Sequence, residues 1–319
     1  MFRIFACCIA LSLACVASAE NRPTTIRVTT ADGKPAVGAK VWLQTFAESG
    51  KKPVEPPPLV TDGAGKAIVP AAEKSNLHPA LFIRDASGRV GSAQLNRSQY
   101  GIDDDSILNI VLLETVAKSG RVTDARGKPT AGAIVSAFWY ETENRNQLVE
   151  SGPASSIMLP QWEVAKDGVK TDADGRFKLP APKAGYSVSF RVAAEGFGKT
   201  EWSAPPSGEL DVSLQDPGTL TIAVAGVEPS VSKNRSWRLN PIESKPALGV
   251  RPILWRMGTF DGTAKVTLPF VSPGRYELQV YHDSRSPAIF EKGPSVEVVS
   301  GKVAALTAKF GPAARRSPA

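Results

Sequence analysis

The chain has 319 residues, with 38 Lys or Arg against 31 Asp or Glu, so its formal net charge is +7. The basic residues are scattered apart from adjacent pairs such as Arg315-Arg316 in the tail, which argues against the clustered basic face of a nucleic-acid-binding protein. A chain of this length can bury more than one hydrophobic core. We therefore expect two or three domains and no nucleic-acid partner.

The first 19 residues have the pattern of a secretory signal. Arg3 is the only charge ahead of the apolar stretch Ile4–Val16, and Ala17-Ser18-Ala19 is a small-residue cleavage site. The stretch has about 13 residues, whereas a membrane-spanning helix needs roughly 20, so a retained anchor is the weaker alternative. The pattern predicts cleavage before Glu20 and a secreted, periplasmic or cell-envelope protein.

All three cysteines lie within this signal, at Cys7, Cys8 and Cys15. Cleavage would leave a mature chain without a disulfide, a thiolate nucleophile or a cysteine metal site. Lipidation at Cys15 is an alternative, but Ser12-Leu13-Ala14 before it matches a lipobox poorly. We expect a fold held together by core burial alone, and no cofactor.

Alternating apolar and polar residues predict many short strands after the signal. Two of the clearest runs are centred on Phe190 and Leu278. Turn pairs separate the runs, among them Asp32-Gly33, Asp174-Gly175 and Asp261-Gly262. No stretch of a dozen residues has a helical period with caps, so the chain is predicted to be all-β and built from sandwiches.

A repeated motif divides the chain. Gly33–Val41 recurs as Gly127–Val135, and Thr61-Asp62 recurs as Thr171-Asp172. The second pair is offset by 110 residues and the first by 94, so the second copy carries 16 extra residues. The resulting interpretation is a signal at 1–19, β-sandwich units at 24–115, 116–216 with an insertion at 141–169, and 217–311, and a flexible tail at 312–319.

The second copy resembles the carboxypeptidase regulatory-like domain over Gly120–Val135 and Lys170–Val192. The match is looser in the first unit, where Ala67 stands in place of Phe177, and partial in the third. The resemblance implies tandem Greek-key β-sandwich domains of the prealbumin-like (transthyretin-like) kind. It implies no peptidase activity, because the peptidase domain itself is absent from the sequence.

Catalytic motifs are not found. The two histidines, His78 and His282, have neither of the spacings that zinc peptidases use. The chain also has no nucleophile elbow, phosphate loop or dinucleotide-binding turn. We predict that the protein is not an enzyme, and a hydrolase is the third and weakest hypothesis.

Two acidic segments are candidates for cation binding. Asp172 and Asp174 flank a glycine turn, but the ligands that complete a calcium loop do not follow them, so we interpret the segment as a hairpin turn. Asp103–Asp105 is interpreted as a solvated loop with an opportunistic cation site as the alternative. We predict no metal site.

Aromatic residues gather near the insertion. Val135, Ala137 and Trp139 share one face by alternation, which predicts Trp139 in the core and Tyr140 on the surface. Loops grafted on a rigid sandwich are frequent binding sites. The candidate ligand-binding residues are Tyr140, Trp162 and Trp202, with packing as the alternative role; the remaining tryptophans are expected to be core or edge residues (Trp42, Trp237 and Trp255).

These observations favour a non-catalytic, exported binding or spacer protein of the cell envelope. Carbohydrate is the leading ligand class, because exposed tryptophan and tyrosine faces stack on sugar rings. The alternative is a protein–protein interaction module of an envelope or secretion assembly. The sequence does not assign an oligomeric state.

Overall fold

A computed structural model gives the fold. It describes residues 23–44, 53–71, 80–95, 107–142, 151–153, 156–166, 168–183, 185–225, 236–242, 251–252, 256–260, 264–281 and 293–309. Several predicted features fall outside these residues: the signal at 1–19, His78, His282, Asp103–Asp105, Trp255 and the tail at 312–319.

The described residues of the first β-sandwich form seven short strands. They are β1 (Thr24–Thr30), β2 (Lys40–Gln44), β3 (Leu59–Val60), β4 (Lys66–Val69), β5 (Ala80–Arg84), β6 (Val90–Gln94) and β7 (Leu108–Leu112). One sheet contains β7-β1-β4 and the other β3-β2-β5-β6. Every second residue of β1 is buried, as the period-two pattern predicts.

The second sandwich contains the longest strands and the predicted insertion. Its strands are β8 (Thr115–Asp124), β9 (Ile134–Thr142), β12 (Val169–Lys170), β13 (Arg176–Pro182), β14 (Tyr186–Ala194), β15 (Gly198–Ala204) and β16 (Val212–Leu214). One sheet has the order β13-β8-β16, and the other contains β9-β14-β15 with β12 paired to β9. Between β9 and β12 lie β10 (Ser151–Pro153), β11 (Ser156–Met158) and helix α1 (Gln161–Lys166).

The third sandwich is formed by described residues between Gly218 and Lys309. Its strands are β17 (Gly218–Ala225), β18 (Ser236–Pro241), β20 (Arg256–Thr259), β21 (Lys265–Val271), β22 (Gly274–Tyr281), β23 (Ser295–Val298) and β24 (Val303–Lys309). The two sheets have the orders β21-β17-β24 and β20-β18-β22-β23. A two-residue strand, β19 (Arg251–Pro252), pairs antiparallel with β15.

One strand order therefore occurs three times. In each sandwich the first strand lies at the centre of a sheet and pairs parallel with the last strand: β1 with β7, β8 with β16, and β17 with β24. The second sheet repeats as β3-β2-β5-β6, β12-β9-β14-β15 and β20-β18-β22-β23. The predicted fold class, all-β with tandem sandwiches, is confirmed, and the third copy keeps the strand order although it lacks the Gly-Lys-Pro motif.

The repeated motif makes the same turn in the first two copies. Gly33 has a φ of 81° and Gly127 a φ of 78°, the left-handed region that these tight turns require. The proline two residues later bridges to the preceding strand in both copies, as Pro35 and Pro129. The prediction that Gly33–Val41 and Gly127–Val135 each form a turn followed by a strand is confirmed.

A buried threonine ties the two parts of the motif together. The Thr171 hydroxyl accepts a hydrogen bond from Ala133 N at 2.9 Å and donates one to Thr130 O at 2.7 Å. Thr61 makes the corresponding two bonds in the first sandwich. This is the physical basis of the repeated Thr-Asp pair, because the hydroxyl satisfies backbone groups that no strand neighbour reaches.

The sandwiches have separate apolar cores. The first is filled by aliphatic side chains of β1, β2, β4, β5 and β7, including Ile26 and Val41. The second contains Phe177 and Phe190, whose ring centroids are 6.4 Å apart. The third is built around Tyr276. No cysteine lies among the described residues, so each sandwich there is stabilised by burying its own apolar surface.

The chain divides into two compact units. The first consists of Met1–Val116, Phe138–Lys166 and Pro180–Tyr186, and the second of Ala117–Ala137, Asp167–Leu179 and Ser187–Ala319. Most of the predicted insertion is thus part of the compact unit that contains the first sandwich. Within the described residues, no helix has the length and apolar character needed to cross a membrane.

Candidate interaction site

The insertion adds a strand to the first sandwich. Ser151–Pro153 forms β10, which pairs parallel with β7 opposite Asn109–Val111. The sheet that begins with β1 is thereby extended to β10-β7-β1-β4. The edge of a sandwich sheet in this protein accepts an extended segment from a distant part of the chain.

Helix α1 packs on an aromatic surface of the first sandwich. The ring centroid of Trp162 lies 5.1 Å from that of Trp42 and 6.4 Å from that of Phe82, and Trp42 stacks on Phe82 at 5.8 Å. Trp42 is buried, and its Nε1 has no hydrogen-bond partner among the described residues. Trp162 remains half-buried. The predicted ligand-binding tryptophan thus packs its ring against the sandwich.

An ion pair fixes the helix beside these rings. The Arg84 guanidinium donates to the carboxylate of Glu163, which is only 3% exposed. The guanidinium carbon also lies 5.5 Å from the centroid of the Phe82 ring. Neither residue of this pair was identified from the sequence, because nothing in the local pattern links a strand arginine to a glutamate 79 positions away.

A second polar contact holds the strand before the helix. Gln44 Nε2 donates to the Met158 carbonyl oxygen at 2.7 Å. Ser156–Met158 forms β11 and pairs antiparallel with Trp139–Glu141 of β9. Strand pairing with β7, ring contacts with Trp42 and Phe82, and the Arg84–Glu163 ion pair therefore attach the described part of the insertion to the first sandwich.

Tyr140 is not on the surface, so that prediction is wrong. The residue is 4% exposed, and its hydroxyl donates to the Pro180 carbonyl oxygen at 2.7 Å. Its strand neighbour on β11 is Ile157, which is fully buried. The side chain is a packing residue with a satisfied hydroxyl, and its ring offers no face for stacking.

Trp139 is not in the core, which corrects the companion prediction. It is 38% exposed, although Val135 and Ala137 of the same strand are buried. Ser136 is buried as well, so the inward–outward alternation of β9 shifts by one residue before Trp139. The pairing partner also changes along the strand, from β12 at Val135 to β11 at Trp139.

Trp202, the third candidate ligand-binding residue, is buried. It is 7% exposed, lies opposite Phe190 in the β14–β15 pair, and donates from Nε1 to Thr200 Oγ1 at 2.9 Å. Trp42 and Trp237 are also buried, as expected for core residues. Of the three candidate residues only Trp162 keeps substantial exposed area, and Trp139, which was predicted to be in the core, is exposed as well.

The acidic turn at Asp172 is a hydrogen-bonded hairpin turn, as interpreted from the sequence. Its Oδ1 accepts hydrogen bonds from Asp174 N at 3.0 Å and Arg176 N at 2.8 Å. Asp62 and Asp124 accept the equivalent bonds in their own turns. Across the described ranges, no group of three His, Cys, Asp or Glu side chains is placed to hold a metal ion.

The turn at Asp32 differs in using side-chain donors. The hydrogen bond from Lys34, and to a smaller extent the one from Thr30, lowers the pKa of the Asp32 carboxyl to about 2. The carboxylate is exposed, so this pair stabilises the local turn and forms no enclosed site.

A shallow groove on the second sandwich carries charges of both signs. Its volume is about 590 Å³, and Arg121, Arg176 and Lys178 line it together with Asp172 and Glu209. These side chains point outward from β8, β13 and their flanking turns. The mixed charge does not favour an anionic or a cationic ligand, so the groove is a weak candidate.

The sheets that contain β1, β8 and β17 differ in how their edge strands β7, β16 and β24 are covered. In the first sandwich the edge strand β7 is covered by β10. In the second, β16 has only three residues and is flanked by Asp211 and Asp216. In the third, β24 has seven residues and ends its sheet as the structure describes it. Uncovered edges of this kind present backbone donors and acceptors to other chains.

No protein-family model matches the sequence, and no curated protein matches it. Solved structures similar to parts of it include the TIE protein of Bacillus anthracis (13% identity, 91% of this chain and 50% of that one, TM-score 0.22). A streptococcal ancillary pilin is 10% identical over 91% of this chain and 100% of that one, with a TM-score of 0.24. The minor pilin of Streptococcus agalactiae is 13% identical over 63% of this chain and 99% of that one, with a TM-score of 0.25.

The chain spans half of the length of the TIE protein. All three TM-scores are low, so the architecture rests on the strand order of this chain itself.

Proposed function

We propose that this protein is a non-catalytic, exported scaffold of the cell envelope that binds protein partners through the edges of its β-sandwich sheets. The signal pattern of residues 1–19 supports export. We further propose that the second sandwich belongs with carboxypeptidase regulatory-like domains, on the motif around Thr171 and Phe177. The three repeated sandwiches present the sheets, and the sheet edges supply the contacts.

The observation that carries this proposal is the pairing of β10 with β7. It demonstrates inside the chain that a sheet edge of this fold takes up an extended segment by backbone hydrogen bonding. Strand addition of this type is a common mode of protein recognition, since main-chain bonds give affinity and alternate side chains give specificity. The burial of Tyr140 and Trp202 supports the same conclusion, because it removes two of the three aromatic faces proposed for sugar stacking.

A binding experiment on the host's own envelope tests the proposal. The purified protein is incubated with envelope fractions that are untreated, protease-treated or treated with glycan-degrading enzymes. Binding that is lost only after protease treatment is expected. Binding that survives protease and disappears after glycan digestion would overturn the proposal.

Glycan binding is a second candidate because Trp139 is 38% exposed on the outer surface of β9. A stacked aromatic contributes on the order of 1 kcal/mol beyond its buried area. If Trp139 binds sugar, Trp139→Ala weakens binding to a panel of envelope glycans several-fold and leaves the protease-sensitive binding intact.

A further inference from the structure

The edge at β24 differs from the two equivalent edges of the same molecule. β7 is occupied by β10, and β16 is short and flanked by acidic residues, two devices by which proteins protect sheet edges. β24 pairs in continuous register with β17 along all seven residues, from Val303 to Lys309. Its outer edge has no neighbouring strand among the described residues.

The charges of β24 lie at its ends, where Lys302 precedes the strand and Lys309 is its last residue. From Val303 to Ala308 there is no charged residue and no proline, and the pairing with β17 has no bulge. Val303 is 76% exposed, whereas Leu306 and Ala308 are buried in the core. An edge strand with six consecutive uncharged residues, Val303 to Ala308, is suited to pairing with another chain.

We infer that β24 is a self-association site, at which β24 of a second copy pairs antiparallel around Leu306. This inference rests on the proposed function, because it specifies the partner at one sheet edge. With the two-fold axis at Leu306, Ala305 lies opposite Thr307 of the second copy and Ala304 lies opposite Ala308. Every such pair is small or aliphatic, and no like charges meet between Ala304 and Ala308.

The pairing joins two three-stranded sheets into one of six strands. The inward side chains continue the two cores, and the outward Ala305 and Thr307 continue a flat face of small residues that includes Thr221 and Thr267. One strand pair buries much less than the roughly 1,200–2,000 Å² of a stable interface. The dimer is therefore weak and forms at high local concentration, as on a crowded envelope surface.

Analytical ultracentrifugation of the purified protein over a wide concentration range tests the inference. The wild type is expected to show a concentration-dependent monomer–dimer equilibrium. The double variant Ala305→Lys/Thr307→Lys places lysines on both sides of the two-fold axis and is expected to weaken dimerisation at least about tenfold. Its thermal unfolding should match that of the wild type, since both positions are exposed.

The matched control is Thr267→Lys. Together with Lys265 it gives the opposite edge strand, β21, the same spacing of two lysines on the same outward face. It is expected to leave the dimerisation constant within about twofold. A monomer at every concentration, or a dimer that Thr267→Lys abolishes and the β24 variant retains, would overturn the inference. Neither result bears on binding to envelope proteins, which the protease experiment measures separately.

Discussion

Gly175 occupies a more restricted position than its motif suggests. It has a φ of 74°, and a Cβ added to it would lie 2.3 Å from the Val122 carbonyl oxygen. Gly127 has a similar φ of 78°, but a Cβ there would meet no atom within 4 Å. Both glycines adopt the left-handed φ that the turn needs, and only at Gly175 does the close approach of the Val122 backbone also exclude a side chain.

We therefore expect Gly175→Ala to destabilise the second sandwich by at least about 2 kcal/mol more than Gly127→Ala, because only the first substitution adds a backbone clash to the turn strain. Calorimetric unfolding of the two variants measures the difference. Equal losses in the two variants would show that turn conformation alone selects glycine at both positions.

Thr171 gives the second prediction at this scale. Thr171→Val preserves the shape of the side chain but leaves Ala133 N and Thr130 O without their buried partner. The expected loss of stability is roughly 1–3 kcal/mol, the cost of an unsatisfied buried group. Denaturant unfolding measures this loss.

The control for Thr171→Val is Thr221→Val on β17. The Thr221 hydroxyl faces Thr267 at 3.4 Å in an exposed position, so a change within about 0.5 kcal/mol is expected there. A loss at Thr171 as small as the loss at Thr221 would mean that water replaces the threonine hydroxyl.

At the scale of elements, helix α1 changes the interpretation of the insertion. From the sequence, Trp162 is a candidate ligand-binding residue, with packing of the insertion as its alternative role. In the structure the ring contacts Trp42 and Phe82, so Trp162→Ala leaves two buried rings partly uncovered. The expected destabilisation is about 1–3 kcal/mol, below the 3–5 kcal/mol of a fully buried tryptophan.

Calorimetry measures the effect of Trp162→Ala, and the exciton signal of the tryptophan pair in circular dichroism should disappear with it. Trp139→Ala is the control, because Trp139 is 38% exposed and its removal should cost little stability. A larger loss at Trp139 than at Trp162 would contradict the packing described for α1.

At the scale of the whole molecule, buried tyrosines predict a loss of stability at high pH. Burial raises the pKa of Tyr276 in the third sandwich to about 12, and burial likewise raises the pKa of Tyr186 to about 12. The ordinary value is 10.0, so the unfolded chain releases these protons first as pH rises. Stability is therefore fully present below pH 10 and falls as pH rises from 10 through 12.

Tyr276→Phe is expected to flatten this decline while removing the hydrogen bond that the hydroxyl donates to Ser272 O at 2.8 Å. The variant is less stable than the wild type near pH 8 and loses less of its stability between about pH 9.5 and about pH 11.5. Urea midpoints across that range measure both effects. A decline as steep as in the wild type would locate the pH dependence elsewhere.

The sequence by itself determined the local structure of this protein. Alternating apolar residues predicted the strands, Asp-Gly pairs predicted the turns, and the repeated Thr-Asp motif marked equivalent positions in two sandwiches. These features depend on interactions between residues close in sequence or on the period of a strand, so they can be read from a single chain. The absence of cysteine after residue 15 likewise required each sandwich to be stabilised by its own core.

Only the tertiary structure decided which aromatic faces are covered and which edges remain open. Alternation counted from Val135 placed Trp139 and Tyr140 on the wrong sides, because three consecutive buried residues, Val135 to Ala137, interrupt the alternation of β9. The contacts of Trp162 and Glu163 are made to residues more than 70 positions away, and β10 covers one sheet edge while β24 has no such neighbour in the described chain. Such contacts depend on how distant segments pack, which the periodicity of a single strand does not specify.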